Sequence, residues 1–188
     1  MEKSRTPSKL MISSSITIFS ISILFSNVAL AGNTNHQFCR ELSISKFEEK
    51  LTHLRFYYHN LIKITNAQIV SGNSSTGFGR IDVVDAELRE GPETNSKLVG
   101  RVEGLELNAS QGELGLLMVI SFAFTEGKYN GSTLSMLGRN LILREVREMP
   151  LVGGTGLFRF ARGYAQARTV LFNSSITIVQ FDFSVIHY

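Results

Sequence analysis

Cysteine is almost absent from this chain of 188 residues, which contains Cys39 and no other. A single cysteine cannot form an intrachain disulfide, so stability must come from the core and from contacts between subunits. The histidines show no metal-ligand spacing, so no metal or other cofactor is predicted. Catalytic motifs of common hydrolases, kinases and oxidoreductases are missing, and no basic run with interleaved aromatic residues indicates nucleic-acid binding.

Long apolar runs are missing outside the N-terminus. There, basic residues precede an apolar stretch from Ile16 to Leu24, and Ala29-Leu30-Ala31 supplies a small-residue cleavage pattern. This order predicts a secretory signal peptide over residues 1–31, with a membrane anchor as the alternative. We therefore expect a secreted, extracellular protein with no membrane attachment after cleavage.

Glycosylation sequons support the prediction of secretion. Each lies at or beside a predicted turn, where a glycan would point into solvent. Their asparagines are Asn73, Asn108, Asn130 and Asn173.

Amphipathic helical patterns of useful length are missing as well, and a period of two replaces them from Leu54 onward. In the segment from Gly115 to Thr125, residues such as Ile120 and Phe122 share one face, and the other face is also largely apolar. This pattern predicts an all-β domain over residues 54–188, either a sandwich or a barrel. The polar segment 32–53 is predicted to be a flexible N-terminal arm.

Two apolar faces on one strand require two dry environments. One face would line the core of the domain, and the other would meet a second subunit or a covering layer. The sequence therefore predicts an oligomer.

The segment from Arg147 to Tyr164 is rich in glycine and predicts a strand, a tight turn and a second strand. Pro150 is expected to end the first strand, because proline lacks a backbone donor. Gly153, Gly154 and Gly156 permit a sharp reversal of the chain. The segment lacks the GxGxxG spacing and the following helix of a dinucleotide site.

This segment closely resembles the glycine-rich signature of plant dirigent proteins, and three other blocks resemble the family in the same order. The resemblance runs from about Leu54 to Tyr188. The other blocks are Phe56-Tyr57-Tyr58-His59-Asn60, Val99-Gly100-Arg101-Val102-Glu103-Gly104, and Tyr129-Asn130-Gly131-Ser132-Thr133-Leu134 followed by Gly138-Arg139-Asn140.

The resemblance implies an eight-stranded antiparallel β-barrel of the calycin-like, allene-oxide-cyclase-like type. It also implies a homotrimer formed through the outer surface of the barrel, with a dimer as the alternative. The implied function is stereochemical control of phenoxy-radical coupling, in which monolignols such as coniferyl alcohol form optically active lignans in the apoplast. A separate laccase or peroxidase would supply the radicals, and the protein itself would oxidise nothing. The alternatives are a dirigent-type cyclase acting on a quinone methide and a barrel that only binds phenolic ligands.

The resemblance also implies site residues. Arg147 matches a pocket arginine of the family, although an ion pair with Glu145 or Glu148 is the alternative. The remaining pocket positions comprise two small polar residues and one residue that is often aromatic in the family. They are Ser121, Thr169 and Ile178.

This chain departs from the family pattern at three positions. Asn60 and Asn140 stand where active members typically have aspartate, and Glu106 replaces a tyrosine of the central block. Asparagine can hydrogen-bond a phenol but cannot take its proton at neutral pH. Glu106 and Asp85 are therefore the candidate carboxylates near the pocket, with a solvated surface acid as the alternative for each.

Overall fold

The computed structural model of the protein describes residues 48–188, where nine strands and two short 3-10 turns form the regular structure. The predicted signal peptide, Cys39 and most of the predicted arm lie outside the described residues. The strands are β1 (Lys50–Asn60), β2 (Asn66–Val70), β3 (Ile81–Arg89), β4 (Leu98–Asn108), β5 (Gly115–Phe124), β6 (Thr133–Leu141), β7 (Arg147–Thr155), β8 (Arg162–Phe172) and β9 (Thr177–His187). The 3-10 turns are Gly127–Tyr129 and Gly156–Phe158.

The sheet closes into an antiparallel barrel of eight strands. Its order runs from β1 through β9 to β3, and β1 then pairs with β3 through Tyr57↔Arg89, Tyr58↔Leu88 and His59↔Glu87. The ninth strand, β2, pairs with the first half of the same β3 edge. Closure removes the free edges that an open sheet would expose. The predicted all-β, eight-stranded barrel is confirmed.

Strict alternation decides which side chains enter the barrel. On β5, Ile120, Phe122 and Phe124 are buried, and they share the core with residues at alternate positions of the other strands. Phe122 makes edge-to-face contacts with Phe181 and Phe183, at centroid distances of 5.3 and 4.9 Å. These rings fill the middle of the barrel, since aromatic pairs in this geometry add to the free energy of burial.

One end of the barrel is closed by aromatic residues, and we call it the aromatic end. Phe158, from the 3-10 turn after β7, stacks on Tyr129 with ring centroids 4.8 Å apart and also contacts Phe124. His187 meets the edge of the Phe158 ring, and its Nε2 lies 2.9 Å from Thr52 Oγ1. The interior polar residues of the candidate site, which are described below, lie at the opposite end.

The glycine-rich segment differs from the prediction in two respects. Pro150 does not end a strand, because β7 continues through it to Thr155. The pairing between β6 and β7 ends at Met136↔Leu151, so on that side no ladder depends on the donor that Pro150 lacks. The turn is a 3-10 turn at Gly156, which has a φ of 61°, and the return strand begins only at Arg162.

An apolar stripe crosses the outside of four neighbouring strands, and we call it the outer stripe. It consists of Val83, Leu105, Val119 and Leu137, which are direct cross-strand partners. Each side chain is between 36% and 44% exposed. The second apolar face predicted for β5 therefore exists, and it is not buried by other residues of the range 48–188.

Gly163 is expected to tolerate no side chain. Its φ is 153°, and an added Cβ would lie 2.0 Å from the carbonyl oxygen of Ser184 on β9. Backbone strain and overpacking each cost about 1–3 kcal/mol, so Gly163→Ala should lower the free energy of unfolding by about 3 kcal/mol or more. Urea denaturation measures this loss.

Gly153→Ala is the matched control, because an added Cβ at Gly153 meets no atom within 4 Å. If both variants unfold at the same urea concentration, the close approach of β8 to β9 does not restrict position 163 to glycine.

Candidate functional site

Polar side chains gather inside the barrel at the end opposite the aromatic residues, and we call this the polar end. Here β1, β4 and β6 finish, while β3 and β7 begin. Each contributes at least one inward-facing polar residue by the same alternation that places the core. They are Tyr58, Asn60, Asp82, Glu106, Asn140 and Arg147.

Arg147 is buried on the face of β7 that also carries the core residues Met149 and Leu151. Its Nε donates to Asn140 Oδ1 at 3.2 Å, and its Nη1 donates to the carbonyl oxygen of Arg144 at 3.2 Å. Burial lowers the pKa of the Arg147 guanidinium. No carboxylate in residues 48–188 pairs with this cation, so the alternative ion pair with Glu145 or Glu148 is not formed.

One guanidinium nitrogen of Arg147 remains available. Within the described part of the chain, Nη2 has no hydrogen-bond partner, yet no fully buried side-chain nitrogen or oxygen there lacks one. Nη2 must therefore have accessible surface. A partly buried cation with a free donor suits an oxyanion or a polarised carbonyl oxygen.

Glu106 faces the interior from β4 and is half-buried. Tyr58 Oη donates to its Oε1 at 3.2 Å. Burial raises the pKa of Glu106 to about 7, with a further increase from the negative charge of Asp82. Burial also raises the pKa of Tyr58 well above its usual value, and the neighbouring charge of Glu106 adds to this. Glu106 is thus a carboxyl group that exchanges its proton near neutral pH.

Asn60 and Asp82 are held by polar residues from the segments around β2. Thr65 Oγ1 donates to Asn60 Oδ1 at 2.8 Å, which leaves the amide nitrogen of Asn60 facing Tyr58. Arg80 binds Asp82 through two donors, at 2.6 and 2.8 Å. The side-chain oxygen of Asn60 therefore has a donor, and the charge of Asp82 is paired with Arg80.

The polar end opens toward solvent. Thr169 lies on the inward-facing side of β8 but is exposed, and Phe172, at the end of the same strand, is 72% exposed. Inward-facing positions at the aromatic end are instead covered, as Phe158 and His187 show.

Three of the predicted site residues do not reach the interior. Ser121 neighbours the core residue Phe122 on β5 and so faces outward, and Asp85 faces outward on β3, where it pairs with Arg101. Ile178 is buried, but on the outer side of β9 beside His59. The structure places Arg147, Asn60, Asn140, Glu106 and Thr169 on inward-facing positions of the polar end, and their site roles stay predictions.

His59 has a structural setting. It is buried on the outer side of β1, and its Nε2 lies 3.0 Å from the carbonyl oxygen of Gly91. Burial lowers the pKa of this histidine.

Tyr58, Thr65 and Arg80 were not predicted as site residues. Tyr58 belongs to the opening block of the resemblance. It lies two residues after Phe56 on the same strand, and this spacing could have predicted that both side chains face the interior. Thr65 and Arg80 lie outside the regular strands, where periodicity gives no direction. Nothing local in the sequence predicts their contacts.

The sequon asparagines differ in their surroundings. Asn73, Asn130 and Asn173 are exposed in loops. Asn108 is half-buried, and its Nδ2 donates to the carbonyl oxygen of Thr76 at 3.0 Å. Glycan attachment is thus sterically simplest at the three exposed positions.

Among residues 48–188, no group of three or more His, Cys, Asp or Glu side chains is arranged to hold a metal ion. Within the same range, no helix is long and apolar enough to cross a membrane.

A family model described as dirigent-like protein matches residues 51–186. The chain belongs to the dirigent family. Among similar dirigent proteins, Dirigent protein 21 of Arabidopsis thaliana is 47% identical over 74% of this chain and 78% of that protein. Pterocarpan synthase 1 of Glycyrrhiza echinata is 42% identical over 95% of this chain and its own full length.

Two solved structures of pterocarpan synthase dirigent proteins share the barrel. They are 45% and 44% identical to this chain, each with a TM-score of 0.71. Each similarity covers 76% of this chain, and 87% and 99% of the respective neighbours. The dirigent family thus includes proteins named as pterocarpan synthases that are similar to this chain.

The raised pKa of Glu106 predicts a pH-dependent stability. In the unfolded chain the carboxyl releases its proton near pH 4.5, but in the folded chain it does so near pH 7. The free energy of unfolding should therefore fall as pH rises from about 4.5 to about 7, by at most about 3 kcal/mol. Glu106→Gln should remove this fall, so that its stability relative to wild type increases with pH.

Urea titrations between pH 4 and pH 8 measure the effect. Glu103→Gln, on the solvent side of the same strand, is the matched control. Parallel pH profiles for wild type and Glu106→Gln would show that the folded carboxyl ionises as in the unfolded chain.

Proposed function

We propose that this dirigent protein holds a phenolic reactant through Arg147 and imposes stereochemistry on the bond that the reactant forms. The first candidate reaction is the coupling of phenoxy radicals of monolignols, such as coniferyl alcohol, to optically active lignans. A separate oxidase, such as a laccase or peroxidase, supplies the radicals. The observation that carries the proposal is the buried guanidinium of Arg147, which has no carboxylate partner among the described residues.

The physical argument concerns an uncompensated charge. A buried cation without an opposite charge is costly, and an anionic or strongly polar oxygen offsets that cost. Asn140 satisfies one donor of Arg147 and thereby fixes the direction in which the guanidinium points. Because both residues lie on strands of a closed barrel, the anchored oxygen would be held in one orientation, as stereochemical control requires.

The second candidate reaction is ring closure on a quinone methide. A specific observation favours it: Glu106 is an interior carboxyl whose pKa lies near neutrality. The similarity to proteins named as pterocarpan synthases also supports this second candidate reaction. Asn60 and Asn140 offer no carboxylate at the two positions where active family members typically have aspartate.

We further propose that the protein is secreted after removal of residues 1–31, is glycosylated, and acts as a homotrimer in the apoplast. The outer stripe supports the assembly, because a second copy would cover a row of apolar side chains that a monomer leaves in water. The exposed sequon asparagines Asn73, Asn130 and Asn173 support glycosylation.

Replacement of the anchor tests the proposed function. Arg147→Leu removes the guanidinium but keeps an apolar side chain in the interior. A charge-assisted hydrogen bond is worth about 1.5–3 kcal/mol, so affinity for coniferyl alcohol should fall about tenfold or more. With a supplied laccase, the enantiomeric excess of the coupled product should disappear. Fluorescence titration and chiral chromatography measure the two effects.

Arg159→Leu, in an exposed loop at the aromatic end, is the control. Arg147→Leu with unchanged affinity and unchanged enantiomeric excess would refute the anchor. Wild-type protein that binds coniferyl alcohol without biasing any product would instead support the barrel that only binds phenolic ligands.

The assembly is tested on the outer stripe. Val119→Asp places a charge at the middle of the stripe and should convert a trimer into monomers at micromolar concentration, because burying an unpaired carboxylate is costly. Sedimentation equilibrium measures the mass. Leu143→Asp, on an exposed leucine outside the stripe, should leave the trimer intact. A monomeric wild-type protein at the same concentration would remove the proposed assembly.

A further inference from the structure

We propose that Glu106 is the catalytic proton-transfer residue of the polar end, with Tyr58 as the residue that positions it. The two asparagines at the family's carboxylate positions cannot accept a proton, and Glu106 takes over that chemistry from a different strand. The inference rests on the proposed function in one respect: the phenolic oxygen of the reactant must bind at Arg147.

The geometry leaves one oxygen of Glu106 available for a reactant. Oε1 accepts the hydrogen bond from Tyr58 Oη, and Oε2 has no partner among residues 48–188. Since no fully buried side-chain oxygen in that range lacks a partner, Oε2 must have accessible surface. Tyr58 itself is 3% exposed, so it holds Oε1 from within the barrel.

The groups around Glu106 account for its proton affinity. Asp82 lies directly opposite on β3 and disfavours ionisation, whereas Tyr58 on β1 and Arg80 before β3 favour it. On the other side, β5 presents only the thioether of Met118. Arg147 on β7 forms no salt bridge with Glu106. Burial outweighs the favourable partners, and the carboxyl is available in both protonation states near neutral pH.

Both candidate reactions contain a step that requires such a group. Coupling of two phenoxy radicals at a side-chain carbon produces a quinone methide, as does dehydration of a hydroxybenzyl alcohol. A nearby hydroxyl oxygen then bonds to the methide carbon, and its O–H bond breaks with the proton passing to the Glu106 carboxylate. The electron pair of the exocyclic double bond moves into the ring and onto the oxygen held by Arg147. Transfer of the proton from Glu106 through solvent to that oxygen yields the phenol, so the step is an isomerisation without an oxidant.

The test uses the full-length mature protein and a stabilised para-quinone methide that carries a side-chain hydroxyl. Loss of the absorbance of the quinone methide gives the rate, and fluorescence titration with the cyclised phenol gives the affinity. The wild-type rate should rise with pH through about 7 and then level off, because the carboxylate is the reactive form. Glu106→Gln should lower the rate at pH 8 by about a hundredfold or more and abolish this rise, with affinity unchanged.

Two further variants separate catalysis from structure. Glu106→Asp should restore part of the rate and the pH dependence. Tyr58→Phe should move the midpoint of the pH profile upward, since the hydrogen bond from Tyr58 favours the ionised carboxyl. Asp85→Asn, on the outer face, should behave as wild type.

The failures of the two proposals are distinguishable. If Glu106→Gln keeps the wild-type rate and pH profile, the role of Glu106 is overturned, while stereochemical bias in radical coupling would leave the proposed function standing. Wild-type protein that binds the phenol but does not accelerate ring closure overturns the inference in the same way. If wild type does not bind the phenol, and Arg147→Leu changes nothing, both proposals fail.

Discussion

Closure of the sheet through three residue pairs between β1 and β3 is the constraint on which the rest of the structure depends. Those pairs use only the second half of the β3 edge, and β2 completes the first half. Once the sheet is closed, every second residue faces a common interior, and the two ends of that interior become distinct environments. Phe158 and Tyr129 fill one end, and polar side chains occupy the other.

The polar end combines a cation and a carboxyl that do not neutralise each other. Arg147 is supported by an amide and a backbone carbonyl, and Glu106 by a phenol. Had the two groups formed an ion pair, each would retain fewer free atoms for a reactant, and the positive charge of Arg147 would lower the pKa of the carboxyl. Because the two groups have different partners, each keeps an atom available, as the proposed binding and proton transfer require.

The outer face of the barrel presents a second consequence of closure. A strand such as β5 is apolar on both sides, so a barrel of this sequence leaves Val119 and its neighbours of the outer stripe in water unless another surface covers them. The interior and the stripe are therefore linked: the same alternation that directs Ile120 and Phe122 into the core directs Val119 outward. The chemistry proposed for the polar end and the assembly proposed for the stripe would use opposite faces of the same strands.

The sequence by itself determined the strand class and the family. Period-two patterns and turn residues predicted an all-β domain. The resemblance carried by the four ordered blocks implied a barrel of eight strands and an interior Arg147. These properties are local, since alternation and turn chemistry depend on neighbouring residues. For the same reason the absence of carboxylates at Asn60 and Asn140 was evident before the fold was known.

Only the tertiary structure decided which of two apolar faces becomes the interior, and this choice placed Ser121 and Asp85 outside. The path of β7 through Pro150 depended on where its pairing with β6 ends. The contact between Tyr58 and Glu106 joins strands that are 48 residues apart in the chain. Such a contact follows from strand register and barrel closure, which no local pattern encodes. The same closure buries Glu106, and burial raises the pKa of this carboxyl to about 7 although the hydrogen bond from Tyr58 lowers it.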